Sequence, residues 1–342
     1  MNPIAGILLI ALGSIGAASF YVPLKKVKGW AWESYWIVQG VAAWLIAPWL
    51  FGFIFVPRGE LIPILNEAPS SAKLMAMFFG VLWGFGGLTF GLSMRYLGVA
   101  LGQSIALGLC AAFGTIIPAV VAGQDLFSSR AGILTVTGVA ITVAGIAIIG
   151  YAGALKSKEM TDEQKRASVK EFALKKGILI AVFAGIMSAC FNFGFEAGKP
   201  IEEVALAHGT NPLFQKNPTL IFILLGGFLT NLIYCGYLNI KNKTYTDYFS
   251  TSGGVLLNNL SFTFLAGFLW FLQFHFFGMG SSKLPEGMAV FGWSILMALN
   301  IAISNIWGIV LNEWKGVNNK TIVVLVIGIV VLILSAFIVK LS

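Results

Sequence analysis

The sequence predicts an all-α polytopic membrane protein with ten transmembrane helices in two inverted five-helix repeats. Three observations predict it. Apolar residues make up 58% of the 342 positions and charged residues 11%, against roughly 45–50% and about a quarter in soluble chains. Ten apolar windows fit along the chain, each close to the roughly 20 residues that cross a bilayer. A charged segment near the middle divides them five and five. This composition excludes a soluble globular domain, a disordered chain, a collagen and a disulfide scaffold.

Taken in order, the windows are 4–22, 34–56, 74–94, 98–122, 131–151, 177–196, 219–238, 258–281, 288–311 and 321–340. The first has no positive charge ahead of it and is followed by Lys25, Lys26 and Lys28. A cleaved signal peptide has the opposite flanks, so this window is read as a retained span. Spans 3 and 4 carry Gly80-xxx-Gly84, Gly87-xxx-Gly91 and Gly98-xxx-Gly102, a spacing that lets helices approach closely. Cys110, Cys190 and Cys235 lie in apolar runs without metal spacing and read as small core residues. Between spans 5 and 6 runs the mixed-charge segment Leu155–Lys176, a solvated linker. The organisation expected is a first repeat over 1–153, a cytoplasmic linker over 154–176 and a second repeat over 177–342.

Basic residues orient the spans. The loops after odd-numbered spans hold 15 of the 22 Lys and Arg. Those loops are therefore expected in the cytoplasm, with both termini on the outer side. The net charge of +8 reads as this bias and not as a nucleic-acid surface.

Five is odd, so a five-span unit repeated once returns upside down. Span 3 contains Gly80-x-Leu82-Trp83, then Gly91 and Arg95. Span 8 contains Gly267-x-Leu269-Trp270, then Gly278 and Lys283, with the same spacing from Gly to Trp to Gly. Inverted repeats mark secondary transporters, whose substrate sites lie at the repeat interface near mid-membrane.

Several chemistries have no motif here. There is no phosphate-binding Gly-x-x-x-x-Gly-Lys-Ser/Thr loop and no His-Glu-x-x-His. His208 and His275 are the only histidines, so no clustered metal site is expected. No potassium-filter sequence occurs. An enzyme, a metal centre and a bound cofactor are not expected.

Polar residues inside spans are costly and carry the functional reading. They are Gln39, Gln103, Asn192, Asn231, Gln273, His275, Asn300 and Asn305. Most are amides, which bond vicinal hydroxyls while staying uncharged. Among the tryptophans, Trp30, Trp32, Trp36, Trp83, Trp270 and Trp293 lie at span ends or within spans. Amides and aromatic faces suit a small neutral polyol with an apolar face. The competing roles are an interfacial indole belt and amides that join helices. The substrate-binding candidates are Trp83, Gln103, Trp270, Gln273 and Asn300. Of the 14 acids, ten read as loop residues, and Glu33, Glu196, Glu286 and Glu313 lie near span ends. Proton coupling needs a titratable group. Glu33, beside Lys25, Lys26 and Lys28, is the first candidate. Glu196, three residues from Lys199, is the second, and His275 is the third. Pro23 next to Lys25 makes an inner-side gate. Lys25, Lys26 and Arg95 read as gating or charge-pairing groups, toward acids or lipid phosphates.

With these residues in view, Ser19–Glu33, "SFYVPLKKVKGWAWE", resembles the first-loop signature of the bacterial L-rhamnose–proton symporters of the drug/metabolite transporter superfamily. Trp83–Gly98, "WGFGGLTFGLSMRYLG", is similar to their third-span motif. "EFALKKG" (Glu171–Gly177), "GKP" (Gly198–Pro200), "WFLQF" (Trp270–Phe274) and "LNEW" (Leu311–Trp314) follow in matching order. The resemblance covers nearly the whole chain. It implies ten helices in two inverted repeats. It also implies uptake of L-rhamnose and related methyl-pentoses by proton symport across the bacterial inner membrane. The proton is then the coupling ion, with no cofactor, and the partners are a small neutral sugar, protons and membrane lipid. An oligomer is not required. A carrier of another sugar, a metabolite exporter of the same superfamily and a non-transporting membrane sugar sensor stay open alternatives.

Overall fold

The computed structural model describes residues 2–97, 99–159, 173–285, 287–311 and 314–341, without the side chains of Arg95 and of 99–101. Most of the predicted linker, residues 160–172, lies outside the described residues.

Ten helical stretches are long and apolar enough to cross a membrane. They are Pro3–Leu24, Trp32–Phe55, Ser70–Met94, Gly102–Val121, Arg130–Glu159, Leu174–Ala207, Pro212–Asn242, Gly253–Ser281, Ala289–Val310 and Asn319–Leu341. All ten predicted spans are present. The three cysteines are free and buried, as small core residues.

The differences at the ends have local causes. Span 8 begins at Gly253, five residues before the apolar window. The reason is that Asn258 and Asn259 face the chain after span 1. Asn258 donates to the Lys26 carbonyl at 2.9 Å. Asn259 accepts from the Lys28 N–H at 2.9 Å and donates to the Lys28 carbonyl at 2.7 Å. Polar residues thus extend a helix that an apolar window cuts short. Just beyond, Gly29 takes a positive φ of 65°, which glycine tolerates, and turns the chain into span 2. Span 6 runs past the predicted end at Glu196. It breaks at Gly198 and continues as Lys199–Ala207, with Pro200 in the first turn, where a missing N–H costs nothing.

Span 2 is not one regular helix. It is α-helical over Trp32–Gly40, π-helical over Val41–Ile46 and α-helical again over Ala47–Phe55. The Ala47 N–H reaches back five residues to the Ala42 carbonyl. Such wide turns are rare and recur at functional sites.

The chain divides into two compact units. The first comprises Met1–Ala11, Phe85–Phe193 and Gly280–Ser342; the second comprises Leu12–Gly84 and Gly194–Met279. Each draws on both halves of the sequence.

Within the first unit, spans 5 and 10 pack closely. A Cβ on Gly145 would fall 2.6 Å from the Leu332 side chain, and one on Gly328 would fall 2.6 Å from Ile149. Thr142 donates to Ser335 at 3.0 Å across the same contact. Within the second unit, the two glycines of the matched motif do the same job. A Cβ on Gly80 of span 3 would fall 2.0 Å from the Ile223 carbonyl of span 7, and one on Gly267 of span 8 would fall 2.6 Å from the Gln39 carbonyl of span 2. Only glycine allows backbone to meet backbone at that range.

Candidate functional site

The second unit holds a cluster of indoles deep in its spans. Span 2 supplies Trp36 and Trp44, span 3 supplies Trp83, and span 8 supplies Trp270 and Phe274. Trp44 sits at the centre and is 2% exposed. Its ring lies edge-on to Trp83 at 5.9 Å, to Trp270 at 5.7 Å and to Trp36 at 6.2 Å. Trp83 and Trp270 meet at 5.5 Å with planes inclined by 36°. Phe274 closes on Trp270 at 5.0 Å. Two glycines make room for the rings. A Cβ on Gly40 would stand 2.6 Å from Trp44, and one on Gly227 would stand 2.2 Å from Trp83.

Amides surround the indoles. Asn231 of span 7 accepts the Trp36 indole N–H at 3.0 Å and donates to the Gly227 carbonyl at 2.9 Å. Gln273 is buried one turn from Trp270 and donates to its carbonyl at 3.1 Å. Gln39 is fully buried, and neither its amide oxygen nor its amide nitrogen has a hydrogen-bond partner. The Trp44 indole nitrogen is also buried without a partner. Aromatic faces and uncharged amides together fit a neutral, hydroxylated molecule and have no charge to offer an ion.

The predicted residues divide between the two units. Trp83, Trp270 and Gln273 come together in this cage. Gln103 and Asn300 are half-buried members of spans 4 and 9 in the first unit. Trp44 was missing from the sequence reading, although an indole midway along an apolar span is the same signal that singled out Trp83 and Trp270.

The two ends of this unit are polar. At one end, Glu33 is 6% exposed. It accepts hydrogen bonds from Asn242 and Thr244, both at 2.9 Å, so these donors are neutral. Beside it, Asp247 accepts from the Ser34 hydroxyl at 2.7 Å and from the Ala31 N–H at 2.8 Å. Tyr248 donates to the Ser34 carbonyl, and burial raises its pKa above the ordinary tyrosine value. Lys25 and Lys26 lie on the same end, in the turn after span 1. The side chain of Arg95 lies outside the described residues.

At the other end, Glu196 pairs with Lys199. Glu202 corrects the reading of ten acids as loop residues. It lies on the helix Lys199–Ala207, is 6% exposed, and binds Lys216 through both oxygens at 3.0 and 3.1 Å. The Lys216 ammonium also sits 5.1 Å over the Phe195 ring. A buried charge needs such a partner; hydropathy cannot show one. His208 bridges Glu60 at 2.7 Å and Glu67 at 2.8 Å through its two ring nitrogens. These carboxylates, Glu60 first, hold its pKa above the ordinary histidine value. His275 is boxed by Phe51, Phe55 and Phe214 at 4.7, 4.8 and 5.9 Å and hydrogen-bonds Asn217 at 3.0 Å.

Comparison with known proteins agrees with this architecture along the whole chain. The family model of the L-rhamnose-proton symport protein (RhaT) matches residues 2–342. Relatives named L-rhamnose-proton symporter from Yersinia pestis (strain Pestoides F) and Yersinia pseudotuberculosis serotype O:1b (strain IP 31758) are each 36% identical over 343 residues. That alignment covers 99% of this chain and 98% of each relative. With ten apolar spans, an uncharged aromatic and amide cage and this end-to-end match, the chain belongs to the L-rhamnose-proton symport protein family.

Proposed function

We propose that this chain imports L-rhamnose by proton symport. The observation that carries the reading is the end-to-end match to relatives named L-rhamnose-proton symporter. The protein is a transporter and not an enzyme. The proton gradient drives it, and no cofactor takes part.

The sugar's seat is the indole cage. L-rhamnose has an apolar face and a methyl group for the rings of Trp83 and Trp270, and hydroxyls for the amide of Gln273. For Gln103 and Asn300 the proposal rests on the sequence reading alone. Glu33 is the first candidate for the coupled proton. Its burial among neutral donors supports this, because protonation there breaks no ion pair with Asn242 or Thr244. Glu196 and His275 follow. Lys25, Lys26 and Arg95 pair with acids or lipid phosphates.

The proposed setting is the bacterial inner membrane, with both termini on the outer side; the bias of basic residues toward odd-numbered loops supports this. The reciprocal close approaches of Gly80 to span 7 and Gly267 to span 2 support two inverted repeats, since spans 3 and 8 correspond, as do 2 and 7.

Uptake of labelled L-rhamnose into proteoliposomes, with and without an inward proton gradient, tests the reading. Gradient-dependent accumulation is expected. Its absence overturns the proposal.

A further inference from the structure

The part of span 2 that supplies Trp36 and Trp44 to the cage contains three buried polar atoms that the protein leaves unsatisfied: the oxygen and nitrogen of the Gln39 amide and the indole nitrogen of Trp44. Gln39 is 0% exposed and Trp44 is 2% exposed. Unpaired polar groups at such depth are rare in proteins, and each asks for an explanation. Two neighbouring polar groups, by contrast, are satisfied. The Trp36 indole N–H has Asn231, and the Asn231 amide has the Gly227 carbonyl. Three orphan atoms thus fall within six residues of span 2.

That stretch runs from the last α-helical turn, which holds Gln39, into the π-helical turn, which holds Trp44. Residues five apart on an α-helix diverge by about 140° around the axis. The i→i+5 hydrogen bonding of Val41–Ile46 widens the turn, which turns Trp44 toward the face of Gln39, two residues before the wide turn. Trp36, three residues before Gln39, shares that face and contacts the Trp44 ring. Two close packings hold the stretch. Gly267 seats the Gln39 carbonyl against span 8, and Gly40 clears the space for the Trp44 ring. This part of span 2 thus carries an open amide, which accepts at its oxygen and donates at its nitrogen, and an open indole, which donates only.

We infer that Gln39 and Trp44 form a specificity subsite for two neighbouring hydroxyls of the transported sugar. The Gln39 oxygen accepts from one hydroxyl and its nitrogen donates to the next. The Trp44 N–H donates to the same pair. The subsite builds on the seat assigned above and adds to it the residues that read the hydroxyl pattern. An apolar molecule leaves the three atoms unpaired, a singly hydroxylated one leaves part of the set unpaired, and both are rejected for that reason.

The test uses the full-length chain in proteoliposomes and in detergent, with Gln39→Leu and Trp44→Phe. Counterflow exchange, which needs no proton gradient, reads the affinity for L-rhamnose and for its 2-deoxy and 3-deoxy analogues. Thermal unfolding reads stability. Gln39→Leu removes two orphan atoms at nearly constant volume, so its unfolding midpoint is expected to rise. Its affinity for L-rhamnose is expected to fall about tenfold or more, and it should no longer distinguish L-rhamnose from one of the two deoxy analogues. Trp44→Phe should weaken L-rhamnose in the same assay. Unchanged affinity and unchanged deoxy discrimination in Gln39→Leu overturn the subsite, and so does a fall in its midpoint, which means the amide has a structural partner. Exchange by the wild type with indifferent variants leaves the transport reading standing. A wild type that exchanges no L-rhamnose overturns that reading and the subsite together.

Discussion

Trp293 in the first unit and Trp44 in the second are equally buried, each 2% exposed, yet the protein treats them differently. Trp293 lies in a finished environment. Its indole N–H donates to the Cys110 carbonyl at 3.1 Å, and its ring stacks on Phe191 with planes 14° apart. Gly114 is notched for it, since a Cβ there would stand 2.3 Å from the indole nitrogen. Around it, Thr115 and Ser294 share a hydrogen bond of 2.8 Å, and Asn192 donates to the Gly114 carbonyl at 2.7 Å. Trp44 meets the rings of Trp36, Trp83 and Trp270 at steep angles, and its N–H is unpaired. Burial alone does not distinguish a structural tryptophan from one available to a ligand. The state of its polar atom does, because a structural role closes every hydrogen bond that the apolar surroundings would otherwise penalise.

The contrast is sharpest if the buried polar groups of the second unit serve transport and those of the first serve stability. Glu33→Gln is expected to have the largest effect. Gradient-driven accumulation of L-rhamnose should be abolished while counterflow exchange persists, because the glutamine keeps the hydrogen bonds and loses the titration. Normal accumulation removes Glu33 from the coupling role, and Glu196→Gln and His275→Gln then take the same measurement.

The tryptophans themselves come next. Trp293→Phe forfeits a hydrogen bond and ring volume, for a loss of about 2–3 kcal/mol, read as a lower unfolding midpoint with unchanged rhamnose affinity. Trp44→Phe should weaken rhamnose exchange with little loss of stability. Equal destabilisation by the two breaks the comparison.

A smaller effect is expected from Ser294→Ala, which leaves Thr115 without its hydroxyl partner. A cost of about 1 kcal/mol and intact transport would confirm the first unit's polar pairs as fasteners. Impaired exchange in a stable Ser294→Ala protein would contradict it.

The smallest effect concerns the end of the second unit opposite Glu33. His208 has a raised pKa because Glu60 and Glu67 face its two ring nitrogens. Its stabilisation is therefore fully present below the unfolded histidine value of about 6.5 and fades as pH rises through the folded value. The unfolding midpoint should drop as pH rises above the unfolded histidine value of about 6.5, and His208→Gln should shrink that drop. An identical drop in the variant places the titration elsewhere.

Much of this was legible in the residues. Apolar windows and the Gly-x-Leu-Trp pair located the spans, Trp83 and Trp270. Other features left no linear signal. Glu202 reads as a loop acid because its partner Lys216 lies across a helix break and a turn. The widened turn at Val41–Ile46, in which Trp44 sits, is invisible because an apolar run has the same composition in an α- and a π-helical turn. The satisfied amide of Asn231 and the orphan amide of Gln39 look alike in sequence and differ only in what the neighbouring helix offers.

By itself the sequence determined that the chain lives in a membrane, how many times it is apolar enough to cross, and which family it resembles. These follow from composition and local runs, which lipid reads segment by segment. Only the tertiary structure decided which indoles meet, which acids are paired and which amides stay open. Those depend on backbone approaches at glycines and on hydrogen-bond partners far apart in the chain, and hydropathy carries neither.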